Sequence, residues 1–159
     1  MKIRVGFGYD VHQLKENLDL FLGGIRIPSK KGCVAHSDGD VLIHAICDAL
    51  LGAACLGDIG HHFPDTSEKY KDIDSKILLK NTIELIQQKN YKVGNIDCTI
   101  CLQTPKIGNY IPEMQTVLSE IIQVKKEDVN IKATTTERLG FIGQEEGISA
   151  YAITLIEKI

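Results

Sequence analysis

Two segments of the sequence contain side chains that could bind a metal ion together. Asp10 and His12 stand two residues apart at the end of a strand-like segment. Alternate residues of an extended chain face the same way, so this carboxylate and this imidazole can converge on one ion. His44 stands within a helical pattern in the segment AHSDGDVLIHA. Two imidazoles with one carboxylate are the ligands of an open, catalytic zinc site, whereas a structural zinc site usually contains cysteine. We therefore predict that Asp10, His12 and His44 bind catalytic zinc.

The residues around His44 could support this site. Asp40 and Asp48 lie one helical turn to either side of His44, and Asp40 is predicted to orient a ligand histidine through a hydrogen bond. The same three polar residues would also fit a solvated helix face. His36 and Ser37 stand at the predicted helix start, where unpaired N–H groups and the helix dipole favour a phosphate. Alternatively, Ser37 is only the N-cap and His36 a surface residue.

Three further segments contain polar side chains suited to an anionic substrate. Residues 57–65 (GDIGHHFPD) predict a substrate lid or an irregular surface loop, and their two adjacent histidines rarely converge on one ion. Residues 132–141 (KATTTERLGF) place three threonines before Glu137. The threonines are either ordinary strand residues or ligands of phosphate oxygens, in which case Glu137 could hold a hard cation such as magnesium. Residues 103–108 (QTPKIG) predict a turn with one cation.

The elements that must position these side chains predict an α+β fold. Strands are predicted over residues 2–9, 19–28, 94–103, 128–135 and 147–157, and helices over residues 38–56, 74–89 and 111–123. The second strand segment should fold about Gly23 and Gly24 as a hairpin or a bulge. The first helix should be capped by Ser37 and terminated by Gly57. This order predicts a two-layer sandwich: a mixed, largely antiparallel sheet with helices on one face. Residues 60–73 predict a long loop or lid.

The totals are typical of one soluble domain spanning residues 1–159. The net charge of -3 and the absence of Lys/Arg runs argue against a nucleic-acid partner. There is neither a long apolar stretch nor a signal peptide, so we expect no membrane partner. Five cysteines, an odd number in apolar segments, suit a reducing compartment. We expect a bacterial cytoplasmic protein, or one of a plastid-type organelle whose transit peptide has been removed.

Cys98 and Cys101 form a CxxC motif within an alternating, strand-like run. Positions three apart on a strand point to opposite faces. We therefore favour core cysteines over a metal or redox site.

Taken in order, these segments resemble those of the 2-C-methyl-D-erythritol 2,4-cyclodiphosphate synthases, enzymes of the non-mevalonate isoprenoid pathway. The resemblance lies in GYDVH, LGGIRIP, AHSDGD, DALLGAA, LGDIG, FPD, TPK, KATTTE and LGF, and it covers nearly the whole chain. It implies a homotrimeric lyase with active sites between neighbouring subunits, and zinc on Asp10, His12 and His44. The implied substrate, 4-diphosphocytidyl-2-C-methyl-D-erythritol 2-phosphate, closes on itself and releases CMP.

The resemblance also implies roles for single residues. The substrate's own 2-phosphate attacks the β-phosphorus, so the protein has to align groups and neutralise charge. Zinc would take a β-phosphate oxygen, while a second divalent cation on Glu137, magnesium or manganese, would bridge α and β oxygens. His36 and Thr135 would stabilise the transition state. Substrate contacts are implied for Ser37, Asp58, Gly60, Phe63, Asp65, Thr104, Pro105, Lys106, Ala133, Thr134, Thr136 and Phe141.

One residue departs from the family pattern. The family often carries arginine at the position of Gln144, where it faces a central trimer cavity able to hold an isoprenoid diphosphate. Glutamine has no charge to offer such an anion.

Two other functions fit the same metal ligands. In a metal-dependent phosphohydrolase, the site would activate water against a diphosphate. In a noncatalytic trimeric protein, it would bind only a metal or a nucleotide.

Overall fold

The computed structural model describes residues 2–159. These residues form seven strands and five helices, and two of the helices have only four residues. The strands are β1 (Ile3–Glu16), β2 (Leu20–Leu22), β3 (Ile25–Ile27), β4 (Lys31–Cys33), β5 (Tyr91–Cys101), β6 (Val129–Thr134) and β7 (Gly147–Lys158). The helices are α1 (Val41–Ala53), α2 (Ile59–His62), α3 (Ser75–Gln88), α4 (Ile111–Ile122) and α5 (Gly140–Gly143).

Five of the strands form one mixed sheet in the order β4-β1-β7-β5-β6. All neighbouring pairs are antiparallel except β5 and β6, which are parallel. β2 and β3 pair separately as the hairpin predicted about Gly23 and Gly24. The α+β class and the mixed, largely antiparallel sheet are confirmed.

The three long helices cover one face of the sheet. α1 lies on β1 and β7, while α3 and α4 pack against β5 and β6 respectively. α1 approaches β1 closely because Gly6 and Gly8 have no side chain: a Cβ on either would lie 1.9 Å from a carbonyl oxygen of α1. α1 is buried on nearly all sides between the sheet and α3, which explains its almost uniformly apolar sequence.

The opposite face of β1 and β7 remains exposed although it is apolar. Phe7 is 61% exposed, Val5 65%, and Ile153 49%. The rings of Tyr9 and Tyr151 lie beside them, tilted against each other with centroids 5.0 Å apart. A contiguous apolar face of this kind marks an interaction surface more often than a solvated one.

The boundaries of α1 differ from the sequence prediction at both ends. Gly39 has φ +74, which a helix cannot contain, and the side chain of Asp40 rather than Ser37 accepts the hydrogen bond from the N–H of Ile43. The helix ends before Gly57 because Cys55 adopts the left-handed conformation. The N–H groups of Cys55 and Leu56 then bond the carbonyls of Gly52 and Leu51, a Schellman motif. Ser37 as N-cap and Gly57 as terminator were therefore wrong.

Three smaller features also differ from the prediction. β1 continues to Glu16, so Asp10 and His12 lie in mid-strand rather than at its end. β4 was missed because three residues give too short an alternation to detect. The polar stretch 60–73 contains the last three residues of α2 and a single helical turn, Glu68–Tyr70.

The other long helices and strands begin and end within three residues of their predicted bounds. Cys98 is buried in the core, as predicted for a strand cysteine. Within the described residues, none of the helices combines the length and hydropathy needed to cross a membrane.

Candidate metal centre

Three side chains from two elements meet at the edge of the α1–β1 contact. Asp10 and His12 point from β1 toward α1, as their spacing predicted, and His44 reaches them from the first turn of α1. Asp10 Oδ2 lies 3.0 Å from His12 Nε2 and 3.1 Å from His44 Nδ1. The two ring nitrogens are 3.1 Å apart. The three ligand atoms therefore form a nearly equilateral triangle.

The triangle fits a divalent metal. Zinc ligands at about 2.0–2.1 Å in tetrahedral geometry stand about 3.3 Å apart, so the observed spacing would have to open only slightly. Among residues 2–159, this is the only group of three or more His, Cys, Asp or Glu side chains that could share one ion. A group of two imidazoles and one carboxylate would bind a divalent cation.

The charges of the group reinforce one another. Burial raises the pKa of Asp10, but its hydrogen bonds to His12 and His44 outweigh burial and lower the pKa to about 2. Burial lowers the pKa of His44, yet the hydrogen bond and charge of Asp10 leave it above its usual value. Asp10 therefore stays ionised over the whole physiological range, which a metal ligand requires.

Asp40 does not orient His44, contrary to the prediction. Its carboxylate accepts hydrogen bonds from the N–H groups of Gly23, Gly24 and Ile43 at 2.8–3.0 Å. Among residues 2–159, no hydrogen bond joins Asp40 to the His44 ring. Burial raises the pKa of Asp40 to about 6, although the N–H groups of Ile43 and Gly24 oppose the shift. Asp40 instead ties the β2–β3 hairpin to the start of α1.

Of the two hydroxyls behind His44, one belongs to Ser37, which the sequence singled out, and the other to Ser75, which it did not. His44 Nε2 lies 2.9 Å from Ser75 Oγ, at the first residue of α3, and 3.3 Å from Ser37 Oγ. Ser75 Oγ donates to Asp38. The side chain of His44 is only 11% exposed, so the solvated helix face considered for this stripe is wrong. No spacing signal could have found Ser75, because it is 31 residues from His44.

A cleft of about 420 Å³ opens beside the metal group. Its lining includes His12 and His44, together with His36, Ser37, Gly60, Phe63 and Asp65 from the predicted substrate contacts. His36 Nε2 lies 3.1 Å from the carbonyl oxygen of Ser67, which anchors the 60–73 segment at the rim. Asp58 does not line this cleft; its side chain caps α2 by accepting from the N–H of His61.

The adjacent histidines of this segment do not approach the metal group. His62 Nε2 lies 2.7 Å from the carbonyl oxygen of Leu56. The carboxylate of Asp48, one turn beyond His44, accepts from the N–H of Ile59 at 2.7 Å. Both contacts hold the 57–65 segment against the end of α1.

Two of the remaining predicted substrate residues, Ala133 and Thr134, belong to β6, the edge strand on the far side of the sheet from β1. Asp10 pairs with Ala150, Ala150 with Ile100, and Ile100 with Ala133, which places Ala133 three strand spacings from Asp10. At about 4.8 Å per spacing, this is about 14 Å. The single chain therefore does not place the strand that leads into Thr134, Thr135, Thr136 and Glu137 beside the metal group.

The segments that follow β5 and β6 lie near one another. The N–H of Leu102 donates to the carbonyl of Thr134, and the N–H of Arg138 donates to the side chain of Gln103. Thr104 and Pro105 line a separate cleft of about 560 Å³, which Lys106 and Phe141 do not line. The segments KATTTE and QTPK thus form a second group of polar side chains.

The sequence and fold match proteins of one family. The model of the YgbB family matches residues 3–157. A 2-C-methyl-D-erythritol 2,4-cyclodiphosphate synthase of Bacteroides thetaiotaomicron is 63% identical over 158 residues, 99% of each chain. The synthase of Porphyromonas gingivalis is 59% identical over 153 residues, 96% of this chain and 94% of its own.

Two solved structures are similar to this chain in both fold and sequence. A 2C-methyl-D-erythritol-2,4-cyclodiphosphate synthase in a CDP-bound form has a TM-score of 0.90 and 34% identity, over 97% of this chain and all of its own. The bifunctional IspDF of Campylobacter jejuni has a TM-score of 0.96 and 40% identity, over 99% of this chain, which spans 43% of that protein.

Proposed function

We propose a reaction for this chain on the premise that it belongs to the YgbB family and, within it, to the 2-C-methyl-D-erythritol 2,4-cyclodiphosphate synthases of isoprenoid biosynthesis. The substrate is 4-diphosphocytidyl-2-C-methyl-D-erythritol 2-phosphate. An oxygen of its 2-phosphate attacks the β-phosphorus, the bond from that phosphorus to the bridging oxygen breaks, and CMP leaves with the electron pair. The observation that carries the proposal is the triangle of Asp10, His12 and His44 beside a cleft.

The side chains around this cleft suit such a step. The attacking group belongs to the substrate, so no side-chain nucleophile is required, and alignment and charge neutralisation supply the acceleration. A divalent ion held by the triangle would act as a Lewis acid on a phosphate oxygen. Ser37 and Asp65 offer polar contacts to the erythritol hydroxyls, and Phe63 offers an apolar wall.

His36 offers a hydrogen bond to phosphate under one condition. Because a carbonyl oxygen can only accept, the bond to Ser67 keeps the proton of His36 on Nε2. Nδ1 then donates to a phosphate oxygen only when the ring is an imidazolium.

The complete site would require a second subunit. We propose a homotrimer in which Thr104, Pro105, Lys106 and the TTTE segment of one subunit meet the metal group of the next. Two observations support it: the separation of about 14 Å across the sheet, and the exposed apolar face of β1 and β7. Glu137 would hold the second divalent cation, and Thr135 and Thr136 would contact the phosphates. Each subunit would be a single domain formed by the whole chain, and it would contribute one group to each of two sites.

The reaction is tested by its product. The zinc- and magnesium-supplemented protein should convert the cytidylyl substrate to CMP and a cyclic diphosphate, followed by phosphorus NMR. A linear phosphorylated product would instead establish a phosphohydrolase, and absence of turnover would leave a binding protein.

The metal assignment is tested by paired histidine variants. His44→Ala should lose both bound zinc and turnover, because it removes one corner of the triangle. His61→Ala, an exposed histidine outside the cleft lining, should retain both. Full turnover of His44→Ala would show that the metal group is not the catalytic centre.

A further inference from the structure

The two ring nitrogens of His44 face different environments. Nδ1 is the corner of the metal triangle, 3.1 Å from Asp10 Oδ2. Nε2 points away from it, 2.9 Å from Ser75 Oγ. A histidine that binds a metal through one nitrogen must carry its proton on the other, and the partner of that other nitrogen decides whether this tautomer is favoured.

The hydroxyl of Ser75 has only one proton to give, and Asp38 takes it. Ser75 Oγ lies against Asp38 Oδ1, and a carboxylate oxygen can only accept. Asp38 is itself held in place, since its carboxylate also accepts from the N–H groups of Asp40 and Ser75 at 3.1 and 2.9 Å. With its proton committed, Ser75 Oγ offers only lone pairs to His44. The ring is therefore satisfied only when Nε2 carries a proton. In a neutral ring that proton leaves the lone pair of Nδ1 for a metal ion, in place of the hydrogen bond to Asp10.

We propose that Asp38 and Ser75 are positioning residues that fix the tautomer and orientation of His44 for metal binding. The inference rests on the proposed metal centre at Asp10, His12 and His44. Ser75 is fully buried at the start of α3, so solvent does not readily replace its hydroxyl as an acceptor. Ser37 Oγ also faces Nε2, but at 3.3 Å it is the more distant of the two hydroxyls.

Variants can separate the positioning of His44 from a purely structural role of Asp38 and Ser75. Asp38 also anchors α3, through the hydrogen bond that its Oδ2 accepts from the N–H of Ser75. Ser75→Ala keeps that backbone N–H and removes only the hydroxyl. Ser119→Ala is the matched control, because it removes another buried serine hydroxyl, one that donates to the carbonyl of Thr116 in α4.

The first measurement is zinc affinity, by competition of the metal-free proteins with a chromophoric chelator. Loss of a hydrogen-bond partner behind a metal ligand typically weakens metal binding about 10–100-fold. We expect a change of that size for Ser75→Ala, no change for Ser119→Ala, and recovery of most of the loss in Ser75→Thr, which keeps a hydroxyl. Wild-type zinc affinity in folded Ser75→Ala would overturn the inference.

The second measurement reads the ring itself. In the zinc-loaded wild-type protein, nitrogen NMR of labelled histidine should show His44 with metal on Nδ1 and a proton on Nε2. That proton should exchange slowly with water and show a nuclear Overhauser effect to the β-protons of Ser75. A protonated Nδ1 would overturn the inference even if every Ser75 variant failed to fold.

The two proposals fail differently. If the wild-type protein binds no zinc, the metal centre and the inference that rests on it are both refuted. If the wild-type protein binds zinc and Ser75→Ala binds it equally well, the metal centre stands and the positioning role is refuted.

Discussion

Adding one methyl group at Gly8 tests whether the close contact of α1 with β1 builds the metal group. A Cβ on Gly8 would lie 1.9 Å from the carbonyl oxygen of Ala45 and 2.8 Å from the nitrogen of Ala49. Both are backbone atoms of α1 and cannot rotate away. Since ordinary van der Waals contact begins at 3.4 Å, α1 would have to retreat by about 1.5 Å in Gly8→Ala.

This retreat has two consequences of predictable size. Overpacking of a core contact typically costs 1–3 kcal/mol, and a clash with backbone belongs at the upper end, about 3 kcal/mol of unfolding free energy. The same movement carries His44, the neighbour of Ala45, away from Asp10. Ligand atoms now 3.1 Å apart would separate to about 4.5 Å, too far to share a zinc ion. A displacement of about 1 Å costs on the order of 100-fold in turnover.

Gly52→Ala is the matched control, because Gly52 lies in the same helix and a Cβ there meets no atom within 4 Å. It should leave zinc affinity unchanged and raise stability by up to about 1 kcal/mol, the helix-propensity difference between the two residues. Urea unfolding of the metal-free proteins and chelator competition measure both quantities. If Gly8→Ala matches the wild-type protein in stability and zinc affinity, the close contact of α1 with β1 does not position His44.

Three other predictions follow from single contacts. Asp40→Ala should destabilise the protein by about 3 kcal/mol or more in urea unfolding, since three backbone N–H groups lose their acceptor. Asp74→Ala, which removes the exposed N-cap of α3, should cost only about 1 kcal/mol of unfolding free energy, and equal losses in the two variants would contradict this. Ile153→Asp should abolish the trimer in analytical ultracentrifugation while Ile77→Asp should not, although both side chains are 49% exposed in the single chain; an intact trimer in the first would place the interface elsewhere. In the metal-free protein, the pKa of Asp10 is lowered to about 2, so its stabilising contribution is present above about pH 4 and lost as the pH falls through 2. Asp10→Asn should flatten the acid limb of the plot of stability against pH, and an unchanged limb would show that ionised Asp10 does not stabilise the fold.

Local patterns predicted those parts of the site that depend on one element at a time. Period-two alternation correctly placed Asp10 and His12 on one face of a strand. Helical spacing left His44 open between a metal site and a solvated face, and the structure places its side chain, 11% exposed, beside Asp10. The type of each residue then indicated metal chemistry. These inferences succeed because which way a side chain faces is set by backbone geometry within a few residues.

Predictions of contacts between segments far apart in the sequence were less successful. Asp40 was expected to orient a ligand histidine. Its carboxylate instead accepts hydrogen bonds from the N–H groups of Gly23 and Gly24 in the hairpin. The residue that does contact His44 from behind, Ser75, comes from the start of α3. Sequence spacing contains no information on which helix end packs against which ring.

The sequence by itself determined the kinds of elements, the residue types that could bind a metal, and the family. Only the tertiary structure decided that the three ligand atoms lie 3.0–3.1 Å apart, and that the threonine and glutamate segment begins about 14 Å away across the sheet. Faces follow from local periodicity, whereas distances depend on how closely helices approach a sheet. Here, two glycines of β1 with no side chain set that approach.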